Sequence, residues 1–368
     1  NFAGMNLFEI INYLESVAPL SLQESYDNAG LITGNKQMEV TGILICLDST
    51  EAVIDEAIAN QCNVVIAHHP IIFGGLKKLT GSNYIEKTII KAIKHDIAIY
   101  AIHTNLDNIR AGVNAKIAEK LGLLNTKVLA PKGGLLKKLV TFAPEANAGD
   151  VRFALFEAGA GHISHYDHCS FSLEGTGTFR GDATTNPYVG NRGEDHFEAE
   201  VRIEVIYPAY LQSKLLTALL HAHPYEEVAY DIYSLDNKFQ EVGAGLIGTL
   251  PEPTDVLTFL QQVKEKMVCG SVRYTKLPEH QVQKVAICGG SGAFLLKDAM
   301  SAGAEVFITA DFKYHQFFDA NNKIVIADIG HYESEQYTIE LISDILMKKF
   351  ATFAVHLSKI NTNPINYL

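Results

Sequence analysis

Val64-Val65-Ile66-Ala67-His68-His69-Pro70 is an apolar, β-branched run that stops abruptly at two adjacent histidines. A run of this length and composition reads as a buried strand. Pro70 biases His69 toward an extended backbone. Two imidazoles side by side at the tip of such a strand fill a core poorly. They make sense where nitrogen ligands are wanted, most simply by a pair of metal ions.

Working outward, helix and strand alternate from Met5 to about Leu124. An amphipathic helix around Leu7–Val17 leads to the turn-rich Ser25-Tyr26-Asp27-Asn28-Ala29-Gly30. Strand Val40–Leu47 ends in Asp48-Ser49-Thr50, which can cap a helix over Glu51–Asn60. Strand Asn63–Ala67, a helix near Tyr84–His95, strand Ile97–Ile102 and a helix near Val113–Leu121 follow. Apolar strands between helices predict a largely parallel sheet covered on both faces. The rhythm returns with strand Lys284–Cys288, strand Glu305–Thr309, strand Lys323–Ala327, a long helix Ser334–Lys349 and strand Ala351–His356. Residues 5–125 and 282–368 therefore read as two similar halves of one α/β domain.

Between the halves the texture changes to a β-α-β-β-α-β order, the ferredoxin-like pattern. Its pieces are strand Lys138–Phe142, helix Ala148–Ala158, strands Cys169–Leu173 and Glu200–Ile206, helix Leu211–Ala222 and strand Val228–Tyr233. Gly175–Gly181 and Gly190–Gly193 read as hairpin turns and loops. The expected organisation is an inserted α+β domain over 134–275.

A length of 368 residues favours two domains, and 47% hydrophobic with 20% charged residues is ordinary for a globular chain. A net charge of −12 disfavours nucleic acid as a partner. Five scattered cysteines without a CxxC pair argue for reduced thiols and a cytoplasmic setting. No apolar run reaches the ~20 residues that span a bilayer, and the first residues lack a secretory pattern.

The chemistry gathers at strand ends, where open α/β sheets place their ligands. Besides His68-His69 there are His103-Thr104-Asn105-Leu106-Asp107 and Asp328-Ile329-Gly330-His331, with Glu335 four residues past His331. If a helix starts near His331, that spacing puts both side chains on one face. Imidazole with carboxylate suits zinc, iron, manganese or another divalent first-row ion. A carboxylate can bridge two such ions about 3.5–4 Å apart, and Glu335 is the candidate bridge. Asp311 and His315, after strand Glu305–Thr309, are candidates to touch the ligands or the substrate. His162, His165 and His168 share a metal-like spacing but sit in a turn-rich stretch and read as surface residues. Gly289-Gly290-Ser291-Gly292 reads as a phosphate cradle on a helix start or, equally well, a tight turn.

The chain resembles the NIF-three-like proteins, also labelled GTP cyclohydrolase I type 2 homologues. The resemblance rests on Ser25-Tyr26-Asp27-Asn28-Ala29-Gly30-Leu31, Ala67-His68-His69-Pro70-Ile71-Ile72-Phe73 and His103-Thr104-Asn105-Leu106-Asp107. Gly289-Gly290-Ser291-Gly292, Asp328-Ile329-Gly330-His331 with Glu335, and Asn361-Thr362-Asn363-Pro364 extend it over nearly the whole chain. Tyr26 stands where many members have Trp, and Ala310 where Gly is common. The insert resembles a CutA/PII-like module, marked by His223-Pro224-Tyr225-Glu226-Glu227. The resemblance implies a dinuclear centre in which His69 and Asp107 hold one ion, His68 and His331 the other, and Glu335 bridges; His103 matches the family pattern too, and a place behind the ligands is favoured for it with direct ligation left open. It also implies a toroidal homohexamer with the inserts near its openings. The expected function is metal-dependent hydrolysis of a small molecule, for which the family label names opening of the guanine imidazole ring of GTP. The alternative is a metal-dependent regulatory or scaffold protein whose insert senses a ligand or binds a partner.

Overall fold

The computed structural model describes residues 4–368. The chain divides into two compact units, one formed by residues up to Ala130 together with Glu241–Leu368, the other by Pro131–Gln240. The strands in chain order are β1 (Gly30–Thr33), β2 (Ile43–Cys46), β3 (Val64–Ala67), β4 (Ala98–Ala101), β5 (Leu124–Lys132), β6 (Leu136–Pro144), β7 (Phe171–Phe179), β8 (His196–Pro208), β9 (Tyr230–Leu235), β10 (Phe239–Thr254), β11 (Arg273–Tyr274), β12 (Val282–Ser291), β13 (Val306–Ala310), β14 (Val325–Asp328) and β15 (Val355–Leu357).

The larger unit holds two sheets. One runs β1-β4-β3-β2-β15, parallel except for β1 at its edge. The other runs β11-β14-β13-β12-β10-β5, with β12, β13 and β14 parallel, β10 antiparallel to β12 and β11 antiparallel to β14. Every residue of β2, β3 and β4 is buried, as expected of apolar runs covered on both faces. Leu44, Val65 and Ile99 pack with helices Glu51–Ala59 and Tyr84–Lys94. Ile45, Ile66 and Tyr100 point the other way, into a core shared with Ile287, Ile308 and Ala327 of the second sheet. Helices Leu7–Val17, Val113–Leu121, Val256–Lys266 and Thr338–Lys349 contribute to that same core, so a helical layer lies between the two sheets.

Local chemistry sets several of these elements. Asn6 and Glu9 form a reciprocal capping box at Leu7–Val17. Thr50 accepts from the Val53 amide and caps Glu51–Ala59. The parallel registers level the strand ends, with Cys46 beside Ala67 and Ala67 beside Ala101. The residues that follow these strands therefore emerge together.

The smaller unit has the expected β-α-β-β-α-β order, with helices Ala148–Glu157 and Gln212–Ala222. Its antiparallel sheet runs β7-β8-β6-β9, which is the ferredoxin-like arrangement. Leu139, Ile203 and Val205 pack beneath Val151, Leu155, Leu215 and Leu219 of the two helices.

Several expectations are corrected. The insert expected over 134–275 ends earlier: β10 pairs with β12, and Val256–Lys266 buries Phe259, Leu260 and Val263 in the main core. Gly243, Gly245 and Gly248 interrupt the apolar alternation of β10 and hide it in the sequence. Gly175 and Gly177 lie within β7 opposite Glu200 and Glu198, not in a turn; a side chain at Gly177 would overlap the Glu200 carboxylate. The expected helix Ser334–Lys349 is two helices, His331–Glu335 and Thr338–Lys349. All five cysteines are free. Among the described residues no helix is long and apolar enough to cross a membrane.

Candidate metal centre

The ends of the parallel strands carry the site. The ladder continues past β3, as the His68 amide donates to Cys46 and the His69 amide to Leu47, at 3.1 and 2.9 Å. Both rings are thereby fixed at the sheet's carboxyl edge. His103 follows β4 and precedes the short helix Thr104–Asp107, which ends on Asp107. His331 and Glu335 begin and end the short helix after β14, and their side chains meet, Nε2 to Oε2, at 3.1 Å.

Each of the four histidines has its Nδ1 engaged. His68 Nδ1 lies 2.9 Å from the Ile102 carbonyl, which fixes the proton there. Asp48 holds His69 Nδ1 at 2.8 Å, Asp27 holds His103 Nδ1 at 2.8 Å, and Asp311 holds His331 Nδ1 at 2.6 Å. A carboxylate or carbonyl behind an imidazole sets its tautomer and raises its basicity, the usual support of a metal-ligating histidine. Asp311 is thus a partner of His331, and its backbone adopts φ +60° to reach it, a region Asp tolerates better than most residues. His315 does not join the centre; it is exposed and packs on Tyr314 and Phe318.

The Nε2 atoms converge. His69 and His331 both approach Glu335 Oε2, at 2.9 and 3.1 Å. His68 Nε2 stands 3.9 Å from Glu335 Oε1 and 3.6 Å from Asp107 Oδ1. The His68, His69 and His103 rings lie 4.8–5.3 Å apart between centroids. Two groups have ligand atoms all within 4.8 Å of one another: His68, His69 and His103, and His69, His331 and Glu335. His103, left open by the sequence with an outer role favoured, stands among the other rings. His68 Nε2 has Asp107 as a neighbour, while His69 and His331 share Glu335 Oε2.

Electrostatics follow from burial and pairing. Burial alone would raise the Asp27 carboxyl, but hydrogen bonds from His103 and Thr104 hold it at about 2. Burial opposes charge on His69, yet Asp48 and Glu335 raise it to about 10. The Glu335 charge raises His331 to about 11. Burial raises Asp107, with Glu335 adding to the effect, while Glu335 stays well below the carboxylate range because His331 and the other histidines outweigh its burial.

A test of fit comes from atoms with no protein partner. His68 Nε2 and Asp107 Oδ1 are buried and accept no hydrogen bond. Each buried unsatisfied group costs about 1–3 kcal/mol, and a cation between the two would satisfy both. The glycines of Gly289-Gly290 serve the same space. A side chain at Gly290 would collide with Glu335 Oε1 and crowd the His331 ring. The Gly289 amide donates to Asn114 Oδ1 and the Gly290 amide to Ser334 Oγ, at 3.0 and 2.9 Å. Gly289 to Ser291 close β12 and Gly292 leads into the short 3-10 helix Ala293–Leu295, so the Gly289 and Gly290 amides, both used, cradle no phosphate. His162, His165 and His168 are exposed as expected, and His168 stacks on Phe156.

The centre opens into a cavity of about 710 Å³ whose walls include Tyr26, Phe73, Tyr84, Phe294 and Tyr332. The sequence motifs include Tyr26 and Phe73 but assign them no role, Tyr84, Phe294 and Tyr332 carry no local signal, and Asp27 and Asp48 read as turn and cap residues. The segment between Phe73 and Tyr84 is tied down by Glu86, which accepts from the Ser82 and Thr80 amides and from the Thr80, Ser82 and Asn83 side chains. The backbone and hydroxyl donors at Ser82 and Thr80 hold the Glu86 carboxyl at about 2. Because the folded value is depressed, this anchoring is complete above the ordinary range near 4.5 and is lost as pH falls toward about 2. Glu86→Gln is expected to make residues 74–83 protease-sensitive at neutral pH, whereas the unaltered chain becomes so, with pepsin, only in that acid window. Equal resistance of the two proteins at neutral pH would contradict the assignment.

Fold and site together define an α/β protein with histidine–carboxylate groups able to hold metal ions. The chain belongs to the DUF34/NIF3 (NGG1p interacting factor 3) family, whose model matches residues 5–364. It is 39% identical over 364 residues to a protein of Halalkalibacterium halodurans named "GTP cyclohydrolase 1 type 2 homolog", covering 98% of each chain. A Bacillus subtilis protein of the same name is 38% identical over 371 residues, covering 99% of each. The crystal structure of a Bacillus cereus protein related to NIF3 matches with a TM-score of 0.87 and 42% identity, over 99% of both chains.

Proposed function

We propose that His68, His69, Asp107, His331 and Glu335 hold two divalent ions (zinc, iron or manganese) and that the chain is a metal-dependent hydrolase of a small molecule. The observation that carries this reading is the common posture of the histidines, each with Nδ1 anchored and Nε2 left for the site. Glu335 bridges: Oε2 faces His69 and His331, and Oε1 faces His68 beside Asp107. His103, with Nδ1 on Asp27, offers Nε2 as a sixth donor or as a contact to substrate. When bound, such an ion pair supplies Lewis acidity and a water acidic enough to act near neutral pH. The protein's part is to fix the ligands' tautomers through Asp27, Asp48 and Asp311, and to hold the substrate against them in the aromatic-walled cavity. The relatives' name points to GTP, and the reaction class is hydrolytic attack on an electrophilic carbon or phosphorus.

The test is elemental analysis of protein purified without added metal, beside Asp107→Ala. The reading expects about two ions per chain in the first and fewer in the second. None in either contradicts it. Turnover of GTP by metal-replete protein, abolished in His69→Ala, supports the family's named reaction; identical behaviour of the two proteins counts against it.

A cavity in the smaller unit favours a second reading. About 690 Å³ in volume, it is lined by Phe179, Tyr188, Tyr225, Glu200 and Arg202 among others. In this reading the insert is a CutA/PII-like module that senses a ligand or binds a partner, and the metal centre regulates. Ligand-dependent partner binding that survives Asp107→Ala would favour it over catalysis. A homohexamer in the cytoplasm completes the proposal, and a sedimentation mass of a monomer would remove the hexamer.

A further inference from the structure

We propose that the cavity beside the centre takes an uncharged planar nitrogen heterocycle, of nucleobase or nucleoside size, and not a nucleoside polyphosphate. The inference rests on the metal-centre reading above and names the substrate class for that site.

Two sets of observations carry it. The first is the wall. Tyr26, Phe73, Tyr84 and Phe294 are all more than half exposed although each lines the cavity. Phe73 is held edge-on to His103 at 5.8 Å between centroids, which places a ring beside the metal-facing histidines. Aromatic faces left open around a concave space of this volume are the means by which proteins hold flat rings.

The second is charge. No described residue lining the cavity is Lys or Arg. Phosphate chains are ordinarily held by guanidinium or ammonium groups, or by free backbone amides at a helix start or glycine loop. The glycine segment here spends its Gly289 and Gly290 amides on Asn114 and Ser334. The ions themselves would leave little positive surplus. Asp107 and Glu335 face them, Asp27, Asp48 and Asp311 stand behind the histidines, and Glu24 adds a further carboxylate to the wall. These carboxylates outnumber the charges that two divalent ions bring, so a triphosphate would enter a site already neutral to negative. A ring without phosphate meets no such opposition.

Guanosine and GTP share one ring and differ only in phosphates, which makes them the probes. Calorimetric titration of the metal-loaded protein with each, with metal content measured after each run, is expected to give at least about tenfold tighter binding for guanosine. Tyr84→Ala and Phe294→Ala are each expected to weaken guanosine by about tenfold, the scale of one lost stacking contact, while retaining the wild-type metal content. GTP binding as tightly as guanosine or more so, or neither compound binding while the metals stay, overturns the inference. Absence of metal from the loaded protein overturns the underlying centre instead, and the metal measurement tells the two failures apart.

Discussion

Glu335→Gln is expected to lower the metal content from about two ions per chain to one or fewer, with hydrolysis falling at least ~100-fold. The substitution keeps the side chain's size at a position only 3% exposed and removes its charge. His69 and His331 both present Nε2 to one oxygen of Glu335, and His68 approaches the other. Among the described residues no other carboxylate pairs with all three rings: Asp107 meets His68, Asp48 meets His69 and Asp311 meets His331. Elemental analysis with far-UV circular dichroism checks the outcome. A folded variant that retains both ions would mean Glu335 is a partner of protonated histidines and not a bridge.

Gly290→Ala is expected to weaken metal binding by about 10–100-fold, the range seen when a ligand's support is disturbed. The added methyl would enter the space of Glu335 Oε1 and press on the His331 ring, and the backbone at φ +62° disfavours any side chain. Gly74, where a methyl would meet nothing within 4 Å, is the control and should bind as the wild type does. Competition with a chromophoric chelator measures both. Equal affinity in the two variants would show that the centre does not depend on this close approach.

The legible parts of the fold were those with one strong local signal. Val64–Ala67 is continuous, apolar and bounded, and it forms the strand expected. Leu7–Val17 and Val113–Leu121 carry clean helical periodicity and match residue for residue. β10 was hidden because its glycines mark a strand against which other chain packs closely: a side chain at Gly248 would crowd Leu124 and Thr126. That closeness is a tertiary fact with no local trace. His68, His69, Asp107, His331 and Glu335 were legible as candidates because residue types able to bind metal recur at strand ends. Their supports were not. Asp48 belongs to the Asp48-Ser49-Thr50 stretch that reads as a cap, a role Thr50 fills, and Asp27 reaches His103 across 76 positions of sequence. A carboxylate just past or between strands was the available signal, and it becomes specific only once the registers bring the strand ends level.

The most direct test of the centre is anomalous scattering from crystals of the chain loaded with zinc or manganese. Two peaks about 3.5–4 Å apart are expected, flanking the Glu335 carboxylate and within ligand distance of His68, His69, Asp107 and His331. A single peak, or peaks away from Glu335, would contradict that arrangement.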